Sequence, residues 1–151
     1  MNNLLSFLQS QKLISIAPKS NEPWIANAFY GVDNDCVFYF VSSTQTKHSQ
    51  QILENGDVAF NVAWYNPNNH TDRKAIQGIG RCTMANKHEE IAIGVQLHND
   101  RFPEFAERIT IDWIEDPGNE SKIWTLQPSY IKYWDDTLYK NGESKEFIFE
   151  K

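Results

Sequence analysis

Hydrophobic residues recur along the chain at two spacings, which predict many short strands and few helices. Apolar positions at helical spacing predict an opening helix over residues 3–12, with Asn2 or Asn3 as its N-cap. Apolar runs rich in β-branched and aromatic residues predict strands at residues 13–17, 24–30, 36–41, 58–65, 73–84, 123–126, 130–134 and 146–149. Strands of this length need another layer or closure to bury their apolar faces.

The polar stretches between these runs predict the turns. Gly31 and the Asp and Asn residues at 33–35 tolerate positive φ, so strands 24–30 and 36–41 are predicted to form a hairpin. Asn141-Gly142 predicts a second hairpin near the end of the chain. Gly78 and Gly80 fall inside the strand at 73–84, where glycine suggests a bulge or bend.

Three further segments have a helical pattern. Residues 46–55 follow Thr44 and Thr46, either of which can cap a helix, and Gly56 is placed to close it. Residues 88–98 and 103–109 are also predicted to be helical. The acidic residues Asp112, Glu115 and Asp116 are interpreted as a charged loop.

Close strand spacing without regular strand–helix alternation favours a small barrel over a doubly wound sheet. The sequence therefore predicts a mainly β fold with flanking helices, of the α+β class. Its 151 residues suit one hydrophobic core, so residues 1–151 are expected to form a single domain.

Charge and composition exclude several functions. A net charge of −6 without a cluster of Lys or Arg argues against nucleic acid or an anionic membrane as partner. Neither a signal peptide nor a long apolar span is visible, so a cytoplasmic location is expected. Cys36 and Cys82 lie far apart in apolar runs and are expected to be reduced and buried.

The histidines give no sign of a metal site. His70, His88 and His98 are widely spaced in polar surroundings and are interpreted as surface residues, so no metal is expected. Catalytic residues are not identified, because the chain has neither a Ser/His/Asp signature nor a GxGxxG fingerprint.

One turn carries candidate chemistry. Residues 42–46 supply five hydroxyl or amide side chains, and Lys47 and His48 follow in the first turn of the predicted helix. A helix N-terminus with hydroxyls and a cation suits a phosphate monoester. Ordinary N-capping with a solvated lysine is the alternative, and composition alone does not decide between them.

The segment CVFYFVSSTQTKHSQQILENGDVAFNVAW resembles the FMN-binding split barrels related to pyridoxamine 5′-phosphate oxidase. The similarity continues in IANAFYGVDNDCVFYF and KAIQGIGRCTM and covers roughly residues 3–85. HNDRFPEF and IWTLQPSYIKYWDDTLYKNG are similar to a small bacterial branch of that superfamily. The resemblance implies an antiparallel split β-barrel.

The resemblance also implies a set of FMN-binding residues. In the family the turn after the strand grips the FMN phosphate, and neighbouring strands line the flavin ring. By position the phosphate ligands are Ser42, Ser43, Thr46, Lys47 and His48, and the ring contacts are Asn27, Phe29 and Gln77. The family's oxidases have an Arg-Lys pair where this chain has Lys47-His48, which weakens the expected grip on a dianion.

The function implied is an FMN-dependent oxidoreductase that acts on a small substrate with a reduced nicotinamide or another donor. The resemblance further implies a homodimer with the flavin at the subunit interface. A non-catalytic flavin- or small-ligand-binding protein and an apo homodimeric scaffold remain alternatives. True pyridoxamine 5′-phosphate oxidase activity is not expected, because no counterpart of its substrate-binding residues follows Ala85.

Overall fold

The computed structural model describes residues 1–150, which form eight strands, four α-helices and one 3₁₀ turn. The elements in chain order are α1 (Asn2–Ser10), β1 (Leu13–Pro18), β2 (Ala26–Phe29), β3 (Gly31–Val32), β4 (Phe38–Ser43), α2 (Lys47–Glu54), β5 (Asp57–Trp64), β6 (Lys74–Met84), α3 (His88–Arg101), the 3₁₀ turn (Pro103–Phe105), α4 (Ile111–Glu115), β7 (Ser121–Asp135) and β8 (Ser144–Ile148). Within residues 1–150, no helix is long and apolar enough to cross a membrane.

The strands form one antiparallel sheet that curls into a nearly closed barrel. Its hydrogen-bonded path runs β2-β1-β5-β6-β7-β4-β3, with β8 paired to β7 outside this path. Strands β2 and β3 stand at opposite ends of the path, yet only Tyr30 separates them in the chain. The two edges of the sheet therefore have to meet, and the predicted split-barrel fold is confirmed.

Two apolar clusters hold the fold together. The barrel interior is filled by alternate residues of the strands, including Phe38, Phe60 and Trp124, and it is extended by Leu4 of α1 and Ile52 of α2. A second cluster lies outside the barrel, where α3 and α4 pack on β4 and β7. Cys36 and Cys82 are buried free cysteines, as the sequence predicts.

The hairpin predicted between residues 24–30 and 36–41 is wrong. Strand β2 pairs with β1 instead, and it is the two-residue strand β3 that pairs with β4. The Asp33 carboxylate shapes this turn by accepting the backbone N–H groups of Asp35 and Val37. The positive φ falls on Cys36, at 63°, and on none of the Gly, Asn and Asp residues predicted to supply it.

Several helix boundaries differ from those that the sequence predicts. Helix α1 begins at Asn2 after Met1, which makes no side-chain cap hydrogen bond. Residues 103–109 contain a 3₁₀ turn only at Pro103–Phe105, whereas the predicted acidic loop forms α4, whose N-cap Thr110 accepts the N–H of Trp113. Gly56 was predicted to end α2, but its φ is not positive, and the C-cap residue of the helix is Asn55. A Cβ on Gly56 would lie 2.6 Å from the Cys82 carbonyl oxygen, so close packing requires this glycine.

The strands predicted at 123–126 and 130–134 form one strand, β7. The irregularity predicted at these glycines of β6, Gly78 and Gly80, is confirmed, because the ladder shifts register between Ile79 and Gly80. The extra residue, Ser129, lies in the partner strand β7. The predicted turn at Asn141-Gly142 is also confirmed, with φ of 63° and 72°.

Gly80 provides a test of the bulge. A Cβ at this position would lie 2.4 Å from the backbone oxygen of Gln127, which cannot move without disturbing the ladder. Gly80→Ala is expected to lower the free energy of unfolding by about 1–3 kcal/mol, the usual cost of overpacking. Chemical denaturation followed by circular dichroism measures this change.

Gly118→Ala is the matched control, because its Cβ would meet its nearest neighbour, an Asp116 oxygen, at 3.5 Å. Its free energy of unfolding should stay within about 0.5 kcal/mol of the wild type. Equal destabilisation by both substitutions would contradict the packing argument.

Candidate functional site

The predicted phosphate turn lies between the end of β4 and the start of α2. Thr46 caps the helix, since its Oγ1 accepts the backbone N–H of Ser49 at 3.2 Å. Ser43 shapes the turn before it by accepting the N–H of Gln45 at 3.1 Å. Lys47 and His48 are the first two helical residues, so their backbone N–H groups have no acceptor within the helix.

Several hydroxyl groups of this turn bond to His48 and to each other. Ser42 Oγ lies 2.8 Å from His48 Nε2, and Thr46 Oγ1 lies 3.2 Å from the same nitrogen. Thr46 Oγ1 also donates to Ser49 Oγ at 2.7 Å. Burial lowers the pKa of His48, so the imidazole is neutral at neutral pH. The side chains of Ser42, Thr46 and His48 therefore form a neutral network.

Lys47 points away from this network. Its Nζ lies 2.5 Å from Glu22 Oε1 and 4.4 Å from the centroid of the Trp24 ring. Its side chain is 38% exposed and that of Glu22 is 67% exposed. The one full positive charge of the turn is therefore accessible, but it is already paired with a carboxylate.

Sequence reasoning missed the loop between β1 and β2, which covers the start of α2. The loop contains Glu22 and Trp24, which contact Lys47. It also contacts the buried Gln51 of α2, whose Nε2 donates to the Glu22 carbonyl at 3.3 Å. Gln51 Oε1 has no hydrogen-bond partner among residues 1–150. A tryptophan directly after the polar stretch KSNEP is a sequence signal for this contact, and the structure leaves Trp24 45% exposed.

Asn27 and Gln77 lie on the outer face of the sheet. Residues opposite each other in the ladders share a face, and this pairing joins the polar side chains in a row of Asn27, Ser15, Asn61, Gln77, Lys132 and Glu146. We call this the Asn27 row. Asn27 Oδ1 accepts the Ser15 hydroxyl at 2.7 Å. Three strand spacings separate Asn27 from Gln77, about 14 Å, so the two share a face but not a small pocket.

Phe29 is exposed, and its ring packs against the segment that follows α3. Its centroid lies 4.8 Å from that of Phe102 and 6.5 Å from that of Phe105. The structure thus brings Ser42, Thr46 and His48 together, sets Lys47 beside Trp24, and leaves the predicted ring contacts spread over the outside of the barrel.

His98 was interpreted as a surface residue, and this is wrong, because it is only 4% exposed. Its Nδ1 lies 3.1 Å from Asn99 Oδ1, and Asn99 Nδ2 donates to the Ile109 carbonyl. The amide oxygen of Asn99 therefore accepts, which makes Nδ1 the protonated nitrogen. Burial lowers the pKa of His98, and Phe102 and Phe105 pack beside its ring. His70 and His88 are exposed, and no cluster of metal ligands occurs among the described residues.

Comparison with solved structures identifies the same fold. A heme-binding protein from Mycobacterium smegmatis gives a TM-score of 0.72 at 13% identity over 92% of this chain, which spans only 53% of that protein. HutZ, the heme storage protein from Vibrio cholerae, gives 0.68 at 14% identity, covering 97% of this chain and 92% of HutZ. A NimC/NimA family protein from Clostridium acetobutylicum gives 0.68 at 16% identity, covering 99% of this chain and 92% of that protein. At these identities the likeness shows the fold alone.

Sequence comparison is more specific. No family model matches the chain. A UPF0306 protein of Klebsiella pneumoniae strain 342 is 31% identical over 121 residues, which are 80% of this chain and 74% of that protein. A second UPF0306 protein, from K. pneumoniae subsp. pneumoniae, is 30% identical over 121 residues, which again are 80% of this chain and 74% of that protein. The chain therefore belongs to the UPF0306 family of proteins, built on the split-barrel fold.

Proposed function

We propose that this protein binds FMN, with the phosphate at the N-terminus of α2. The observation that carries the proposal is the start of this helix, where two backbone N–H groups have no helical acceptor and the first helical residue, Lys47, supplies an accessible cation. Oriented N–H groups, the helix dipole and one cation are the features that bind phosphate monoesters.

Lys47 has to exchange its carboxylate partner for the phosphate. An exposed ion pair such as Lys47–Glu22 contributes only about 0–1 kcal/mol, so a dianion held by further donors competes with Glu22. Neutral His48 offers hydrogen bonding without a second charge. The turn therefore suits a phosphate, and we expect weaker affinity than in a site with two cations.

The flavin ring would lie between the helix and β2. Trp24 offers a half-exposed indole directly beside Lys47, and Asn27 follows three residues later on the same segment. An aromatic face and an amide group suit the flat, polar-edged isoalloxazine. Bound FMN supplies redox chemistry toward a small substrate, and these side chains would orient the ring.

We propose further that the protein is a homodimer formed through the outer face of the sheet. Ladder pairing places Ala17, Ala59, Ile79, Tyr130 and Ile148 in one row beside the Asn27 row. Ile79 is 53% exposed and Ile148 is 80% exposed. A contiguous apolar row on an exposed sheet is typical of an interface between subunits.

Heme is a second candidate ligand. Two of the similar structures are named as heme proteins, and among residues 1–150 no group hydrogen-bonds His98 Nε2, the nitrogen free to bind iron. However, Phe102 and Phe105 already pack against that imidazole, so a porphyrin would have to displace them. FMN requires no such rearrangement and is preferred. Titration of the purified protein with hemin and with FMN distinguishes the two.

Lys47→Ala tests the phosphate site. Loss of one charged hydrogen bond is expected to weaken FMN binding about tenfold or more. Fluorescence titration of FMN measures the affinity. Glu22→Gln is expected to have the opposite effect and tighten binding, because it frees Lys47 from its carboxylate partner.

Lys87→Ala is the matched control, since Lys87 occupies the N-cap position of a different helix, α3. Its FMN affinity should equal that of the wild type. An unchanged titration for Lys47→Ala would place the phosphate elsewhere. If FMN binds, bleaching of its absorbance by NADPH without oxygen separates an oxidoreductase from a flavin carrier.

His48 provides a second test through its protonation. A phosphate dianion near the imidazole favours the charged form, so FMN is expected to raise the pKa of His48 from its lowered value. NMR titration of the histidine side chains, with and without FMN, measures this shift. The pKa of His98, lowered by burial at a different place, should stay the same in both titrations. Identical His48 curves would argue against a phosphate at this turn.

Ile79→Glu tests the dimer. A carboxylate in the middle of the apolar row would lose its hydration in the interface, so the variant is expected to be monomeric and the wild type dimeric. Sedimentation velocity gives the two masses. Ile93→Glu, at a 45% exposed position on α3, should remain dimeric. A monomeric wild type would refute the proposed homodimer.

A further inference from the structure

A second candidate binding site lies at the end of the barrel that α1 covers. Here a cavity of about 290 Å³ opens between the helix and the ends of β5, β6 and β7. Its lining combines aromatic rings with charged and hydroxyl side chains, namely Ser6, Phe7, Ser10, Gln11, Trp64, Lys74, Tyr133 and Asp135. This volume is at the lower limit of ordinary ligand pockets and suits a molecule much smaller than FMN.

Asp135 brings a buried carboxylate to this cavity. The residue is 4% exposed, and its Oδ1 accepts the backbone N–H groups of Thr137 and Leu138. Its Oδ2 accepts the Tyr133 hydroxyl at 2.8 Å. Among residues 1–150, no lysine, arginine or histidine forms a salt bridge with it. Three donors fill three of the roughly four acceptor positions of a carboxylate, so Asp135 can accept one more donor, and no cation in the described chain neutralises its charge.

Lys74 brings an ammonium group to the same cavity. Lys74 stands opposite Asp135 in the β6–β7 ladder, but its Nζ lies over the Trp64 ring, 5.1 Å from the centroid. In the described part of the chain Lys74 forms no salt bridge. The cavity thus has one positive and one negative group, each without a partner of opposite charge.

We infer that this cavity binds a small zwitterion of the α-amino acid class. The ligand's ammonium would pair with Asp135 and its carboxylate with Lys74, while an apolar side chain would contact Phe7 and Trp64. A ligand with only one charge would leave either Lys74 or Asp135 unpaired, so the site selects for both charges together. The Ser6 hydroxyl and the Gln11 amide provide further polar contacts at the helix side.

Isothermal titration of the 151-residue protein with alanine, leucine and phenylalanine tests this inference. At least one of the three is expected to bind. Leucine's two singly charged analogues, isoamylamine and 4-methylpentanoate, keep the apolar chain and are expected to bind about tenfold or more weakly than leucine. No binding of any amino acid, or equal binding of a singly charged analogue, would overturn the inference.

Variants separate the charges from the fold. Asp135→Asn removes the charge while the amide oxygen can still accept the turn's backbone N–H groups, and Lys74→Met removes the ammonium. Each is expected to weaken binding about tenfold or more. Lys132→Met is the control, because Lys132 also lies over an indole, that of Trp134, but on the outer face. If Asp135→Asn folds normally by circular dichroism and binds as the wild type does, the site is refuted.

Discussion

The closure of the sheet at Tyr30 is the constraint on which the rest of the structure depends. Tyr30 is the single residue between β2 and β3, the two ends of the hydrogen-bonded path. It is fully buried, its hydroxyl donates to the Leu8 carbonyl at 2.5 Å, and the Arg101 guanidinium lies 5.0 Å from its ring. Burial accordingly raises the pKa of Tyr30. One side chain therefore joins both edges of the barrel to α1 and to the end of α3.

This closure also assembles the α2 site. Closure of the barrel brings β2 next to β4. The loop that precedes β2 therefore lies against α2, the helix that follows β4. Glu22 and Trp24 then meet Lys47, which follows them by more than twenty residues in the sequence. The turn after β4 supplies the helix N-terminus, and the closed barrel supplies the aromatic and acidic neighbours that decide how accessible its lysine is.

Features set by local backbone chemistry could be predicted from the sequence. Thr46 caps α2, and Asn141-Gly142 turns with positive φ, because each depends on residues a few positions away. The glycine at position 80 is itself the sequence signal for the irregularity there, although the partner strand at Gln127 and Pro128 is distant in the chain. Long-range features could not. The pairing of β2 with β1 outcompeted the local hairpin, and the burial of His98 depends on how the segment after α3 folds back. Polar composition therefore indicated where the candidate site lies but not which hydroxyls are already bonded to His48.

The two ends of the barrel differ in how their charges are satisfied, and this difference determines what each could bind. At α2, Lys47 is accessible and paired with an exposed surface carboxylate, so an anion gains a cation at little cost. At α1, Asp135 is buried and Lys74 is held over an indole, so neither charge is compensated by the other. A phosphate suits the first arrangement because a helix N-terminus adds donors of one polarity. The second arrangement has both polarities within one small cavity, so an anion attracted by Lys74 would be repelled by Asp135. The net charge and composition of the chain do not reveal this difference. It depends on which groups lie beside each individual charge at the two ends of the barrel.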